Sequence, residues 1–334
     1  MIGAVVVAIA GAASEVGREI ATVLDERGMA VADLRLYDST DEGAEADADG
    51  FASTLLPGEA VAFDGVDVAF LCGPPARMPE LAERAIESGA LVVDLSGALA
   101  ALDVPVVVPE VNPDAVAEFI GRGAYACAVP GATALAVVLR PIDDAAEVRR
   151  VAVTAFEPAS TAGTAGVDEL AQQSRELLSG VSVEPVVFAH RVAFNLIPQV
   201  GDFAAGGRTR AEWMIERQTR QLLGLADLPM LVTCVQVPTF YGQGYALAIE
   251  TERPLTREAA RAVLRGAPGV LLSDEDAYPT LAEVVGSDAT HVGRLRDDPT
   301  VPNGLALWVA LDGLRKGGAT NAVQIAELAL RARG

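Results

Sequence analysis

One stretch constrains the fold more than any other. An unbroken apolar run over residues 4–10 passes straight into Gly11-Ala12-Ala13-Ser14-Glu15-Val16-Gly17, and a helical segment follows from about 18 to 27. A strand that is apolar at every position is buried on both faces, as in a parallel sheet. A glycine turn between such a strand and a helix gathers backbone N–H groups at the positive end of the helix dipole, where a pyrophosphate can sit. The alternation continues: residues 34–37, 66–71, 91–95 and 106–108 read as strands. Residues 78–88, 114–119 and 132–140 read as helices, the last stopping at Pro141. This pattern predicts α/β architecture with a Rossmann-type doubly wound parallel sheet.

Beyond about residue 151 the character changes. Strand-like segments at 151–155, 230–237 and 245–251 mix with helices at 166–179 and 209–223, without regular alternation. An α+β second domain is expected, with a final helix over 312–333 packing back on the first domain. The expected domains are 1–128 with 312–334, and 129–311. The one biased stretch, 38–49, reads as an acidic loop.

Charge narrows the partners. Asp and Glu total 46 against 25 Lys and Arg, a net charge of −21. Such a chain repels phosphate backbones and anionic lipid, so neither nucleic acid nor a membrane is an expected partner. Lys316 is the only lysine, which fits GC-rich coding or a high-salt habitat. Cys72, Cys127 and Cys234 are widely spaced and odd in number, giving neither a metal pattern nor a disulfide framework. A reducing cytoplasm is expected, since the apolar N-terminus lacks the basic leader of a signal peptide.

The turn itself is mixed. Gly11 and Gly17 are present, but Ser14 stands where a middle glycine would let a pyrophosphate come close, and Glu15 adds negative charge. The candidate cofactor residues are Gly11, Ala13, Ser14, Val16 and Gly17, for NAD or NADP. Asp38, after the second strand, can hydrogen-bond a ribose 2′-hydroxyl and repel a 2′-phosphate, or belong to a solvated loop.

The second half holds more specific text. Ala193-Phe194-Asn195-Leu196-Ile197-Pro198-Gln199, Thr233-Cys234-Val235-Gln236-Val237-Pro238 and Val292-Gly293-Arg294-Leu295-Arg296 occur in that order. They are followed by Leu314-Arg315-Lys316-Gly317-Gly318-Ala319-Thr320-Asn321-Ala322-Val323-Gln324. With Val107-Val108-Pro109-Glu110-Val111-Asn112 and the glycine turn, these blocks resemble the aspartate-semialdehyde dehydrogenases over essentially the whole chain. The resemblance implies a Rossmann domain, a dimerising α+β domain and NADP, with Asn321 on the cofactor side. It also implies a cysteine nucleophile, a histidine acid/base and arginines for the carboxylate and phosphate.

The catalytic positions depart from that pattern. The family's nucleophile lies nine residues before the leucine of Leu-Lys-Pro, and here that position is Pro130. The family histidine falls on Gln243 and the substrate arginine on Gln236. The phosphate-site arginine falls on alanine after Ser96-Gly97-Ala98-Leu99, the family glutamine on Glu157, and the second-domain lysine on Met214. The profile resembles the degenerate Usg-type paralogues. It implies lost reductive-phosphorylation chemistry, a binding or interaction role, and a homodimer or hetero-association with an active paralogue. The alternative is an active NAD-dependent aldehyde dehydrogenase with Cys127 as nucleophile and Glu157 as base.

Overall fold

A computed structural model describes residues 3–38, 45–48, 51–57, 61–99 and 104–333. The chain divides into two compact units, Met1–Val129 with Gly317–Gly334, and Pro130–Lys316.

The first unit begins β1 (Val5–Ala10), α1 (Glu15–Glu26), β2 (Val31–Asp38), β3 (Glu45–Ala48), β4 (Phe51–Pro57), β5 (Val68–Leu71) and α2 (Met78–Glu87). It continues with β6 (Leu91–Asp94), β7 (Val106–Val107), α3 (Asp114–Glu118) and β8 (Ala124–Cys127). The sheet order is β3-β4-β2-β1-β5-β6-β8-β7, parallel except for the antiparallel β3–β4 pair. The expected Rossmann-type sheet is present. Successive side chains of a strand point to opposite faces. Val7 and Ile9 therefore enter one core cluster while Ala8 and Ala10 enter another, which is why β1 is apolar throughout.

The second unit runs α4 (Pro130–Ala146), β9 (Val148–Glu157), α5 (Gly163–Leu178), α6 (Arg210–Leu223), β10 (Met230–Gln236) and β11 (Gln243–Thr251). Then come α7 (Arg257–Arg265), β12 (Val270–Leu272), β13 (Thr290–Asp298) and β14 (Gly304–Leu311). Its mixed sheet has the order β10-β9-β11-β14-β13-β12. Helices α4, α6 and α7 pack against this sheet. Thr209 caps α6 by accepting from the Glu212 N–H, and Glu212 accepts in return from the Thr209 N–H. The last element, α8 (Thr320–Arg333), rejoins the first unit and packs on α1, α3, β6 and β8.

Three sequence expectations need correction. Helix α4 does not stop at Pro141 but runs through it to Ala146. The proline forfeits one helical hydrogen bond, and burial of Ile142 and Ala146 outweighs that loss. The final helix starts at Thr320, not 312. Asp312 Oδ1 accepts the Leu314 and Arg315 N–H groups, and Arg315–Ala319, with Gly317 and Gly318, forms a π-type turn. Part of the acidic stretch is a strand, because Glu45-Ala46-Asp47-Ala48 alternates with period two and pairs with β4. Residues 39–44 of that stretch lie outside the described residues. Strands β4, β8, β12, β13 and β14 and helix α7 add to the elements expected from the sequence.

Candidate functional site

In the first unit, β1 ends at the glycine turn and α1 begins at Glu15. Gly11 has φ +92°, and a Cβ there would lie 2.5 Å from the Gly73 N. A Cβ on Gly17 would lie 2.4 Å from the Gly11 O. Both glycines are thus demanded by backbone packing. Ser14 acts as the α1 N-cap: its Oγ accepts from the Gly17 N–H at 3.1 Å and donates to the Gly11 O at 2.6 Å. The hydroxyl that reads as an obstacle in the sequence closes the turn on itself. Val16 sits in the first helical turn, where N–H groups have no acceptor within the helix. The Ala13 N–H donates to Asp38 Oδ2 at 2.9 Å, tying the end of β2 to the turn.

Beside the turn is a cleft of about 310 Å³, lined by Gly11, Ala13, Ser14, Asp38, Cys72 and Arg77 among others. Burial pushes the Cys72 thiol well above its usual range, and the carboxylate of Asp94 adds to this. Asn321, fully buried in α8, donates through Nδ2 to the Val107 O at 3.0 Å. Its Oδ1 is buried with no hydrogen-bond partner among the described residues. The cleft beside the turn, the N–H groups at the start of α1 and this acceptor fit the demands of a dinucleotide that brings a pyrophosphate and an amide donor.

In the second unit, three strands converge on one polar cluster. Gln236 pairs in register with Glu157, and Gly244 pairs with Phe156. The C-terminal end of β9 therefore meets the end of β10 and the start of β11. Glu157 is 5% exposed, and its Oε2 accepts from Gln243 Nε2 at 2.6 Å. The Tyr245 hydroxyl donates to Gln243 Oε1 at 3.3 Å, and Gln236 Nε2 donates to the Glu157 backbone O at 2.8 Å. Gly313 leaves room for this amide, because a Cβ there would lie 2.6 Å from Gln243 Oε1. Burial lifts the Glu157 carboxyl to about 7, and the Gln243 hydrogen bond pulls the other way. Burial also pushes the Cys234 thiol and the Tyr245 hydroxyl upward, with Glu157 adding to both. Both glutamines are neutral, so Glu157 is the member of this cluster suited to exchange a proton near neutral pH.

Cys127 is the last residue of β8, 6% exposed, in register with Val107 and within a hydrophobic cluster of the first unit. Glu157 and Gln243 belong to the second unit. Pro130, at the nucleophile position, is the first residue of α4. The alanine at the phosphate-arginine position, residue 100, lies outside the described residues. Glu212 is taken up by the α6 cap and by the Cys234 N–H, which donates to it at 3.0 Å. Neither histidine joins a cluster of this kind: His190 is exposed, and the His291 ring pairs with Ser287 Oγ at 2.7 Å. Sequence reasoning missed the Asp38–Ala13 bond and the place of Tyr245. The only available signal was position, an acid closing the second strand and an inward residue two after Gln243. Among the described residues no cluster of three or more His, Cys, Asp or Glu is arranged to hold a metal, and no helix is long and apolar enough to cross a membrane.

Comparison with known proteins adds a consistent set of likenesses. Residues 6–119 match the model for the semialdehyde dehydrogenase NAD binding domain, and residues 139–316 the semialdehyde dehydrogenase dimerisation domain. An aspartate-semialdehyde dehydrogenase from Aquifex aeolicus is 36% identical over 332 residues, covering 97% of this chain and 98% of the relative. A USG-1 protein homolog from Azotobacter vinelandii is also 36% identical, covering 98% of each chain. The crystal structure of aspartate semialdehyde dehydrogenase II from Vibrio cholerae superposes with a TM-score of 0.96 at 36% identity, over 98% of this chain and 99% of that one.

Proposed function

This chain belongs to the aspartate-semialdehyde dehydrogenase family, and we propose that it is a member that has given up the family's acyl-transfer chemistry while keeping a dimeric, dinucleotide-binding scaffold. The observation behind this reading is the pair of replacements at the reacting positions. Pro130 opens α4 where the family has its thiol, and Gln243 takes the place of the histidine. A proline has no nucleophile, and an amide exchanges no proton near neutral pH. Gln243 is further tied down by Glu157 and Tyr245. Gln236 and Met214 replace two cations, so an anionic substrate meets neutral side chains.

The dinucleotide half of the proposal is supported by the cleft beside the Gly11–Gly17 turn at the start of α1 and by Asn321 Oδ1. Gly11, Ala13, Ser14, Val16 and Gly17 would surround the pyrophosphate, and Asn321 would accept from an amide of the cofactor. The bound group would supply a hydride acceptor. The dimer half rests on the match to a dimerisation domain and on one face of the second sheet. Leu231, Thr233, Ala246 and Trp308 on that face are exposed or half-buried, and Leu231 is 60% exposed. Such a face suits a second copy, or an active paralogue with the same surface. The free thiols Cys72, Cys127 and Cys234 suit a reducing cytoplasm.

One observation favours a second reading. Glu157, held at about 7, is suited to be a general base, and Cys127 is the thiol nearest in sequence to the nucleophile position. One experiment separates the two. The purified protein is assayed with aspartate semialdehyde, phosphate and either NAD or NADP, following reduced nicotinamide. The expected result is no turnover above background. Turnover that is abolished in Cys127→Ser would establish the second reading and overturn the first.

A further inference from the structure

Asp38 closes β2 and is partly buried against the glycine turn. Its Oδ2 takes the Ala13 N–H at 2.9 Å, so the carboxylate is pinned to the lip of the 310 Å³ cleft and does not swing freely into solvent. In a doubly wound sheet this is the position that faces the adenosine ribose of a dinucleotide bound at the first turn. A carboxylate there accepts hydrogen bonds from a ribose diol. A 2′-phosphate would instead bring a second negative group against it. The chain that follows offers no relief, because residues 39–60 contain six acids and neither lysine nor arginine. Among the described residues that line the cleft, the only guanidinium is that of Arg77, which is exposed at the start of α2.

We propose that Asp38 makes this cleft selective for NAD over NADP, through a carboxylate fixed by the Ala13 amide. This rests on the reading that the cleft binds a pyridine dinucleotide, and it goes further by naming which one and which residue decides. Like charges held a few ångströms apart near a surface repel strongly enough to separate two ligands by about tenfold or more. The separation shrinks as salt screens it.

The test is calorimetric titration of the full-length protein with NAD and with NADP, at low salt and at high salt. Wild type is expected to bind NAD at least about tenfold more tightly than NADP at low salt, with a smaller ratio at high salt. Asp38→Asn keeps an oxygen for the Ala13 N–H and removes the charge, and it should bring the two affinities within about threefold. Asp38→Ser gives the same reading should the amide variant not fold. Equal or tighter binding of NADP by wild type overturns the assignment. So does a preference that survives Asp38→Asn. Binding of neither nucleotide overturns both this inference and the dinucleotide half of the proposed function. A NADP preference overturns the inference alone.

Discussion

Replacing Glu157 with glutamine should make the protein more stable at high pH and leave it little changed at low pH. The carboxyl is buried, and burial lifts it from its ordinary 4.5 to about 7. Between those values the unfolded chain holds fewer protons at this site than the folded one, so stability falls as pH rises and levels off above about 7. Each pKa unit is worth about 1.4 kcal/mol, so the full effect is about 3 kcal/mol. Between pH 5 and pH 8 the advantage of Glu157→Gln over wild type should therefore widen by about 2.5 kcal/mol. The amide preserves an acceptor for Gln243 Nε2, so the hydrogen bond need not be lost. Urea unfolding followed by tryptophan fluorescence suits the measurement, because Trp213 and Trp308 both lie in the same unit as Glu157. Taking the difference between variant and wild type cancels the other carboxylates. A difference that stays constant from pH 5 to pH 8 would refute the reasoning, since it would place the carboxyl in its ordinary range in the folded state.

Gly11→Ala should cost about 2–4 kcal/mol in urea unfolding, from left-handed strain plus overlap with the Gly73 backbone. An unchanged midpoint would count against so close an approach of the two backbones. Gln173→Leu should strip the acceptor from the Val192 and Ala193 N–H groups, at about 1–3 kcal/mol for each buried donor left without a partner, and hydrogen exchange should speed up at those two amides. Unaltered exchange there would mean that the helix does not hold the loop. Ala246→Arg, on the open face of the second sheet, should turn a dimer into a monomer by light scattering, since a buried unpaired charge costs several kcal/mol. A dimer that persists would place the interface elsewhere.

What the sequence revealed followed from local patterns. The period-free apolar run of β1 announced a strand buried on both faces, and Val7 and Ala8 do enter opposite clusters. Helical spacing over 209–223 announced α6, which in the structure is capped by Thr209 with Glu212 and ended by Gly224 in a left-handed conformation. What escaped depends on contacts distant in sequence. The Gln243–Glu157 bond spans 86 residues and the Gln236–Glu157 bond 79, and both require β10, β9 and β11 to lie side by side in an order the chain does not follow. Ser14 was legible as a residue and not as a role, because a hydroxyl beside a glycine turn can obstruct a ligand or cap a helix. Pro141 misled because its local cost is certain while the packing that offsets it is tertiary.

The return of α8 to the first unit has a consequence for biosynthesis. Ala319, Ala322, Val323, Ile325, Ala326 and Ala329 complete the hydrophobic cluster that Val7, Ile9 and Val93 begin. A ribosome makes the early strands, then the whole of Pro130–Lys316, and only then this helix. At roughly 5–20 residues per second, one side of the nascent first sheet waits on the order of ten to forty seconds for its cover. The second unit, contiguous in the chain, is under no such delay. Chains truncated just before Thr320 and released from the ribosome should therefore carry a protease-resistant second unit and a cleavable first one, and engagement of chaperones during translation should centre on the uncovered face of β1, β5 and β6.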